Sequence, residues 1–383
     1  MCQIFDEMTK KICLIFVLSL LFFQFNFGQN DNIINDSLSK FDKFNQKAEA
    51  LFKIIPVPII SYSQEAGNVI GLAKFNAFPL SKKDTISLPS KLSGSVSFST
   101  KGRINVNVGN DLIFKENLYF ILSTFRYKKQ PQYLFGIGNN VTIDNIEEVT
   151  NEHIEFNVNF LRRVYQKLYI GFGMEIDDYI NVKTEPDSFL IEDMVTGVNG
   201  GTNFGLGVAF IWDSRDNRYN AHSGSLLKTS FIFYNKALGS AYQFNRFELD
   251  ARKYFNPWRK HVIAMQATTT HLYGDVPFYD LALLGGESKM RGYYKGALRD
   301  NFLIDSQVEY RLPVWKILGL VGWVGTGRVA DSFKAMEFKD FWISYGGGLR
   351  IKVDSENDIN IRIDAGFGSN GINAVYFNFS EAF

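Results

Sequence analysis

The chain has 383 residues with formal charges almost in balance, 41 Lys and Arg against 40 Asp and Glu, so it carries no electrostatic footprint for nucleic acid. Aromatic residues make up 15% of it, and no stretch after the N-terminus reaches the ~20 apolar residues a spanning helix needs. A soluble protein fits this composition, and so does a membrane β-barrel, in which alternating polar and apolar residues cancel.

The N-terminus separates the two. Met8-Thr9-Lys10-Lys11 is a basic start, residues 12–23 form a short apolar core, and cleavage after Gly28 fits the polar stretch that follows. Residues 1–28 therefore read as a secretory signal peptide rather than an anchor. Cys2 and Cys13 both fall inside it, so the mature chain is expected to have no thiol chemistry. Cys13 lies at the wrong end of the core for lipid attachment. In the leader, residues 29–55, Phe41, Phe44, Ala48, Leu51, Phe52 and Ile55 recur at helical spacing. An amphipathic helix over 30–55 could lie on the periplasmic membrane face or reach into a barrel mouth; a partly ordered leader is the alternative.

From Pro56 the period changes to two. Ile104, Val106 and Val108 alternate with Asn105 and Asn107; Ile154, Phe156 and Val158 alternate with Glu155 and Asn157; Ile359, Ile361 and Ile363 alternate with Asn360 and Arg362. Strand side chains point to opposite faces, so each strand has an apolar face and a polar one. The runs approach the 9–11 residues of a tilted spanning strand. Sixteen strands are expected, starting near Val57, Val69, Lys91, Arg103, Leu118, Glu152, Lys167, Asn203, Ser225, Ala241, His261, Asn301, Ile317, Phe341, Ile359 and Ala374. The fold class is thus all-β: a sixteen-stranded antiparallel transmembrane barrel over 56–383, preceded by the short helix. Short inner turns (115–117, 165–166 and 256–258) and long outer loops (130–151, 179–202 and 275–298) give the asymmetry such barrels have. The aromatic row of Val375, Phe377, Phe379 and Phe383 resembles the end that barrel-assembly machinery reads, although Glu381 interrupts it.

After the eleventh strand comes Leu284-Gly285-Gly286-Glu287-Ser288-Lys289-Met290-Arg291-Gly292-Tyr293, and the next strand closes on Glu309-Tyr310-Arg311. With its neighbours this resembles the BamA/TamA (bacterial surface antigen) superfamily of sixteen-stranded barrels. There a [VI]-R-G-[FY] tip belongs to a long loop folded back into the lumen. Met290 stands where that pattern has Val or Ile. Asp213-Ser214-Arg215-Asp216-Asn217 with Gly224 is similar to the family's D-x-R-D-N…P-x-x-G inner turn, with Ala221 in the place of Pro. Gly346-Gly347-Gly348-Leu349-Arg350 and Ile361 to Gly366 resemble its last strands. The likeness is specific from about Phe210 onward and only architectural before it.

The resemblance implies that Arg291, a rigid and permanently charged fork, pins the loop to a buried carboxylate. Gly285, Gly286 and Gly292 would permit close backbone approach, and Tyr293 would pack on the wall. The family's thirteenth strand supplies an Asp in F-x-D-x-G, but this chain reads Trp323-Val324-Gly325-Thr326-Gly327. Glu309 then becomes the preferred partner of Arg291, with Asp364 second; Arg291 solvated at a loop tip is the alternative. Gly366, Gly368 and Gly371 are compatible with a loose seam between first and last strands, or with curvature.

No catalytic set is expected. A G-x-S-x-G turn is absent, the isolated G-x-G pairs lie on or beside strands, and His153, His222, His261 and His271 share no ligand spacing. No enzyme activity, cofactor or metal is therefore anticipated. The resemblance implies a bacterial outer-membrane barrel that assists insertion, assembly or translocation of proteins. Its partners would be outer-membrane lipids, the barrel-assembly machinery for its own insertion, unfolded outer-membrane or secreted substrates, and a periplasmic partner. Residues 29–55 leave no room for the POTRA domains that relatives carry. A passive pore, or a lipid-handling or structural barrel, is the other reading, since fold does not fix function.

Overall fold

The computed structural model describes residues 40–63, 67–81, 83–141 and 146–383; the expected signal peptide and the first part of the expected helix lie outside them. The chain divides into two units, Met1–Lys47 and Ala48–Phe383. Helix α1 (Lys40–Ile54) carries the described part of the first unit into the second. Within the second unit Leu51, Ile54 and Ile55 are exposed. The Glu49 carboxylate accepts the Ser355 hydroxyl at 2.7 Å and its backbone N–H at 3.3 Å.

Eighteen strands follow: β1 (Val57–Ser63), β2 (Gly67–Phe78), β3 (Ser90–Ser99), β4 (Ile104–Phe114), β5 (Tyr119–Leu134), β6 (Glu147–Tyr165), β7 (Leu168–Lys183), β8 (Gly201–Asp213), β9 (Gly224–Tyr234), β10 (Phe244–Phe255), β11 (Val262–Gly274), β12 (Ala282–Leu284), β13 (Leu298–Asp300), β14 (Phe302–Trp315), β15 (Leu318–Ala330), β16 (Trp342–Asp354), β17 (Ile359–Gly368) and β18 (Asn373–Phe379). All but β12 and β13 form one closed antiparallel barrel of sixteen strands, each beside its chain neighbour. The alternation seen in the sequence sorts its faces. On β14, Asp305, Gln307, Glu309 and Arg311 are buried in the lumen while Val308 and Tyr310 are exposed on the outside. On β8, Leu206, Val208, Phe210 and Trp212 face out. Closure gives every strand a neighbour on each side and limits the backbone edge exposed to lipid to the junction of β1 and β18, where the described residues share the pair Ser63↔Ala374.

The expected strand starts lie within three residues of those observed, with one exception. β6 begins at Glu147, not near Glu152, because β5 and β6 stay paired out to Leu134↔Glu147. That extension carries polar residues on both faces, so it leaves no period-two signal. Two expected loops also contain ordered elements. The 179–202 stretch holds the helical turn α2 (Phe189–Glu192), with Ser188 as its cap, and 275–298 holds β12, hydrogen-bonded to β13.

The end of the chain departs from expectation. β18 stops at Phe379, and Ser380 adopts a left-handed φ of 64°. Glu381, Ala382 and Phe383 turn into the lumen, where Phe383 is buried with Ala221, Tyr254, Val262 and Ala264. Phe383 therefore does not continue the aromatic row of the last strand. Phe379 remains on β18, stacked on Phe75 at 5.9 Å between ring centroids.

Candidate functional site

The segment between β11 and β14 re-enters the barrel. Val276, Phe278, Leu281, Leu284, Met290, Tyr293 and Leu298 pack with Leu134, Tyr179, Tyr234, Phe244 and Leu272 from the surrounding strands. This apolar core fills the lumen toward the end that carries the long loops. Burying this many large side chains, each contributing about 1.5–3 kcal/mol, is enough to hold the segment inside.

Arg291, at the tip, has no solvent exposure. One guanidinium nitrogen lies 2.5 Å from Glu309 and the other 2.8 Å from Asp364. Its plane sits 3.7 Å from the centre of the Trp323 ring. The two candidate partners are thus not alternatives: one fork spans both. Around them the ion pairs continue. Arg311 Nε donates to Glu309 at 2.8 Å, and Arg350 reaches Asp364 and Glu381, each at 2.6 Å. Arg362 donates to Asp364 at 3.1 Å and to the Glu287 carbonyl at 2.8 Å. Four buried arginines and three buried carboxylates therefore tie the loop to β14, β16 and β17 and to the inturned end of the chain. Desolvating such charges is costly, and each is tolerable only because its neighbours remain in place.

Register explains how Arg291 reaches its partners. Ala264, Glu309, Trp323, Gly346, Gly366 and Ala374 are successive cross-strand partners from β11 to β18. They form one row across the lumen wall. The glycines in that row make room. A Cβ on Gly366 would come 2.6 Å from Gly292 N and 2.7 Å from the Arg291 carbonyl carbon. Gly292, at a φ of 118°, lies so close to β17 that its own Cβ would meet Phe367 backbone atoms at 2.6 Å. Gly366 and Gly368 are therefore the bed on which Arg291, Gly292 and Tyr293 lie, rather than marks of a loose seam. A Cβ added at Gly371 would meet nothing within 4 Å.

Tyr293 is fully buried and donates to the Ile343 carbonyl at 2.8 Å. Gly285 and Gly286 are both left-handed, and Gly286 N–H donates to the Tyr293 carbonyl at 2.9 Å, closing the base of the tip. Three contributors were not singled out from the sequence. Trp323 stacks on Arg291, and the Ser344 hydroxyl donates to the Arg291 carbonyl. Tyr376, on β18, accepts from Gly292 N–H and donates to the Tyr293 carbonyl, both at 3.1 Å. Their only sequence signal was a place on the lumen face of a strand.

The second motif forms a separate structure at the opposite end. Asp213 and Arg215 pair in a two-pronged contact of 2.9 and 2.7 Å. The Asp216 carboxylate accepts backbone N–H groups of Asn217, His222 and Ser223 at 2.9–3.1 Å. Burial works against its charge, but these N–H groups and the nearby His222 hold its carboxyl below the usual range. Asn217 donates to the Asn357 carbonyl at 3.1 Å, and Gly224 is left-handed where a Cβ would strike Ser214 O at 2.3 Å. The segment is more than an inner turn, because it crosses the mouth. Tyr219 donates to the Pro89 carbonyl at 3.2 Å, and Arg311 donates to the Ala221 carbonyl at 3.1 Å. Arg311 also donates to the Phe383 carbonyl at 2.9 Å, so both motifs and the inturned end share it. The structure thus links Arg291, Glu309 and Asp364 directly, and reaches the 213–224 segment through Arg311.

Sequence spacing gave no ligand set for the histidines, but the fold brings His153, Glu155 and Asp177 together, with ligand atoms within 4.8 Å of one another. Glu155 is held by Arg126 at 2.7 and 3.0 Å, and His153 by Asp177 at 3.1 Å. The contacts are those of an ion-pair cluster, in which Arg126 already balances Glu155.

The Omp85 superfamily domain matches residues 79–383. Among solved structures, the chain is similar to BamA from Haemophilus ducreyi lacking POTRA domains 1–3, at 14% identity and a TM-score of 0.51 over 84% of this chain and 69% of that one. It is also similar to CdiB from Escherichia coli, at 12% identity and a TM-score of 0.53 over 84% of this chain and 61% of that one. At such identities the likeness concerns the fold, and the chain spans less than two thirds of the CdiB structure. No curated protein sequence matches it.

Proposed function

The chain belongs to the Omp85 superfamily and is an outer-membrane β-barrel, and from that premise we propose that it assists the insertion or translocation of other proteins at the outer membrane, acting through its seam. The observation that carries the reading is the closure between β1 and β18. β1 pairs with β2 along all of Val57–Ser63, and β18 with β17 along all of Asn373–Phe379. Between β1 and β18, among the described residues, a single pair is in register, Ser63↔Ala374. Among the described residues, most backbone groups facing the seam lack the ladder that joins every other pair of strands. An incoming strand of an unfolded client offers those groups a partner, as strand addition does at any open sheet edge.

In this reading the chain acts mechanically, with no covalent chemistry, cofactor or metal. The Arg291 loop braces β14 to β18 so that opening is confined to the seam. The substrates would be unfolded outer-membrane or secreted proteins, delivered by a periplasmic partner, with the signal peptide and the cell's assembly machinery placing the barrel itself. The filled outer half of the lumen favours this over a wide general pore.

The test uses the absence of cysteine after residue 13. Ser63→Cys with Ala374→Cys should lock the seam reversibly in purified barrel reconstituted in lipid vesicles. Folding of an unfolded test barrel should be faster than in empty vesicles, slowed by oxidation of the double variant and restored by reductant. No acceleration by the unmodified protein, or acceleration indifferent to the lock, would reject the proposal.

A further inference from the structure

At the short-turn end of the lumen lies a second feature that the seam reading does not use. A cavity of about 290 Å³, open on one side, is bounded by β2 to β4, β9, β10, the end of β18 and the 213–224 segment. Its lining is strongly cationic, with Lys74, Lys91, Arg215, Arg218, Lys228 and Arg252 set against Asp111. The charges do not cancel locally. Arg215 is matched by Asp213 at 2.7 Å and Arg252 by Asp250 at 2.5 Å. Asp111 is shared, 3.5 Å from Lys91 and 3.6 Å from Arg218. Lys228 lines the cavity wall and forms no ion pair among the described residues; the carboxylate across from it, Asp250, is the one committed to Arg252. Glu381, also on the lining, is committed to Arg350 at 2.6 Å. With Lys74 set aside, since it has an interaction of its own, one cation from the shared carboxylate and one from Lys228 are left over, facing a space with room for about ten waters.

Two uncompensated cations in a recess of the barrel mouth focus a positive potential and concentrate anions. A single carboxylate would balance one of them, whereas a phosphate dianion balances both and accepts the several donors that Arg and Lys present. We propose that this chamber binds a phosphate group, carried by free phosphate or by a phospholipid headgroup. Bound there, it joins Lys228 on the barrel wall to Arg218 on the segment that crosses the mouth, and so fastens that segment to β9. The site lies on the opposite side of the Arg291 network from the long loops, and it holds whether or not the seam accepts clients.

The full chain in neutral detergent and phosphate-free buffer provides the test. Inorganic phosphate and a short-chain phosphatidate are each titrated by calorimetry. Saturable binding of either probe is expected, weakening as sodium chloride rises and kept in Lys228→Arg. It should weaken about tenfold in Lys228→Met, whose strand content by circular dichroism should match wild type. Displacement of phosphate by phosphatidate assigns the site to a headgroup, and failure to displace it assigns the site to the free anion. No saturable binding of either probe to wild type, or binding that salt leaves unchanged, overturns the proposal without recourse to a variant; so does equal affinity in Lys228→Met.

Discussion

The thioether of Met290 faces the side-chain position of Gly325: a Cβ on Gly325 would come 3.5 Å from Met290 Sδ, and 3.2 Å from both Gln307 Cβ and Ser306 O. These are two positions where the chain departs from the pattern it otherwise resembles, and a side chain at one would touch the other. A side chain at 325 would start in contact with Met290 and tight against Gln307 and Ser306, and the job a carboxylate there would do for Arg291 is done by Asp364 from two strands further round the wall.

That contact makes the two positions interdependent. Gly325→Asp alone should destabilise the barrel by about 1–3 kcal/mol, through a crowded and poorly partnered buried charge. Combining it with Met290→Val should recover part of the loss. A double-mutant cycle on denaturant unfolding would measure the coupling, and strictly additive losses would show that the two departures are unrelated.

Arg291→Ala strands two carboxylates with no solvent exposure. The loss should be about 3–5 kcal/mol, since breaking a buried pair leaves uncompensated charge. Arg291→Lys keeps the charge but cannot span Glu309 and Asp364 with one planar fork, so it should rescue only partly. Unfolding midpoints in urea would decide this. An alanine variant as stable as wild type would mean the network is solvated.

The loop and the seam meet at Tyr376, which takes one hydrogen bond from Gly292 and gives one to Tyr293. Tyr376→Phe removes both and should cost about 1–3 kcal/mol. Under the seam reading it should also change the rate at which a test barrel is inserted, because β18 loses its tie to the loop. Hydrogen exchange of β18 amides offers a readout independent of activity, and faster exchange is expected.

Gly366→Ala should displace the loop, since the new methyl falls on the backbone of Arg291 and Gly292. The same change at Gly371 meets open space and should cost only the strain of a φ of 79°, about 1 kcal/mol. Protease cleavage within 285–296 distinguishes them: Gly366→Ala should be cut and Gly371→Ala should not.

Asp300, in the hairpin at the base of the loop, should give the packed loop a pH dependence. Burial, reinforced by Asp331 and partly offset by the Asn301 N–H, pushes its carboxyl up to about 6. A carboxyl raised in the folded state binds its proton more tightly there than when unfolded. Its contribution is therefore fully present below about pH 4 and is lost as pH rises through about 6. The melting temperature should be higher at pH 5 than at pH 7.5, by the equivalent of about 1 kcal/mol once screening by solvent is allowed for. Asp300→Asn should flatten that difference, and an unchanged slope in the variant would assign the dependence to other groups.

The barrel itself was legible in the amino-acid order because its determinants are local. A strand between lipid and a polar lumen must alternate, and Ile359 to Asp364 or Gln307 to Tyr310 shows this within a handful of residues. The loop tip was legible for a different reason: Arg291-Gly292-Tyr293 is a contiguous motif whose chemistry needs a buried carboxylate. Which carboxylate was not readable. Arg291 and Asp364 lie 73 residues apart, and their meeting depends on the register of five strands and on Gly366 lying beneath the loop backbone. The inward turn at Ser380, the reach of the 213–224 segment to Pro89 and Arg311, and the near-unpaired seam were likewise decided only when the sheet closed. Closure brings together strands that share no neighbourhood in the chain, and hydrophobic periodicity carries no information about which polar groups will then face one another across the lumen.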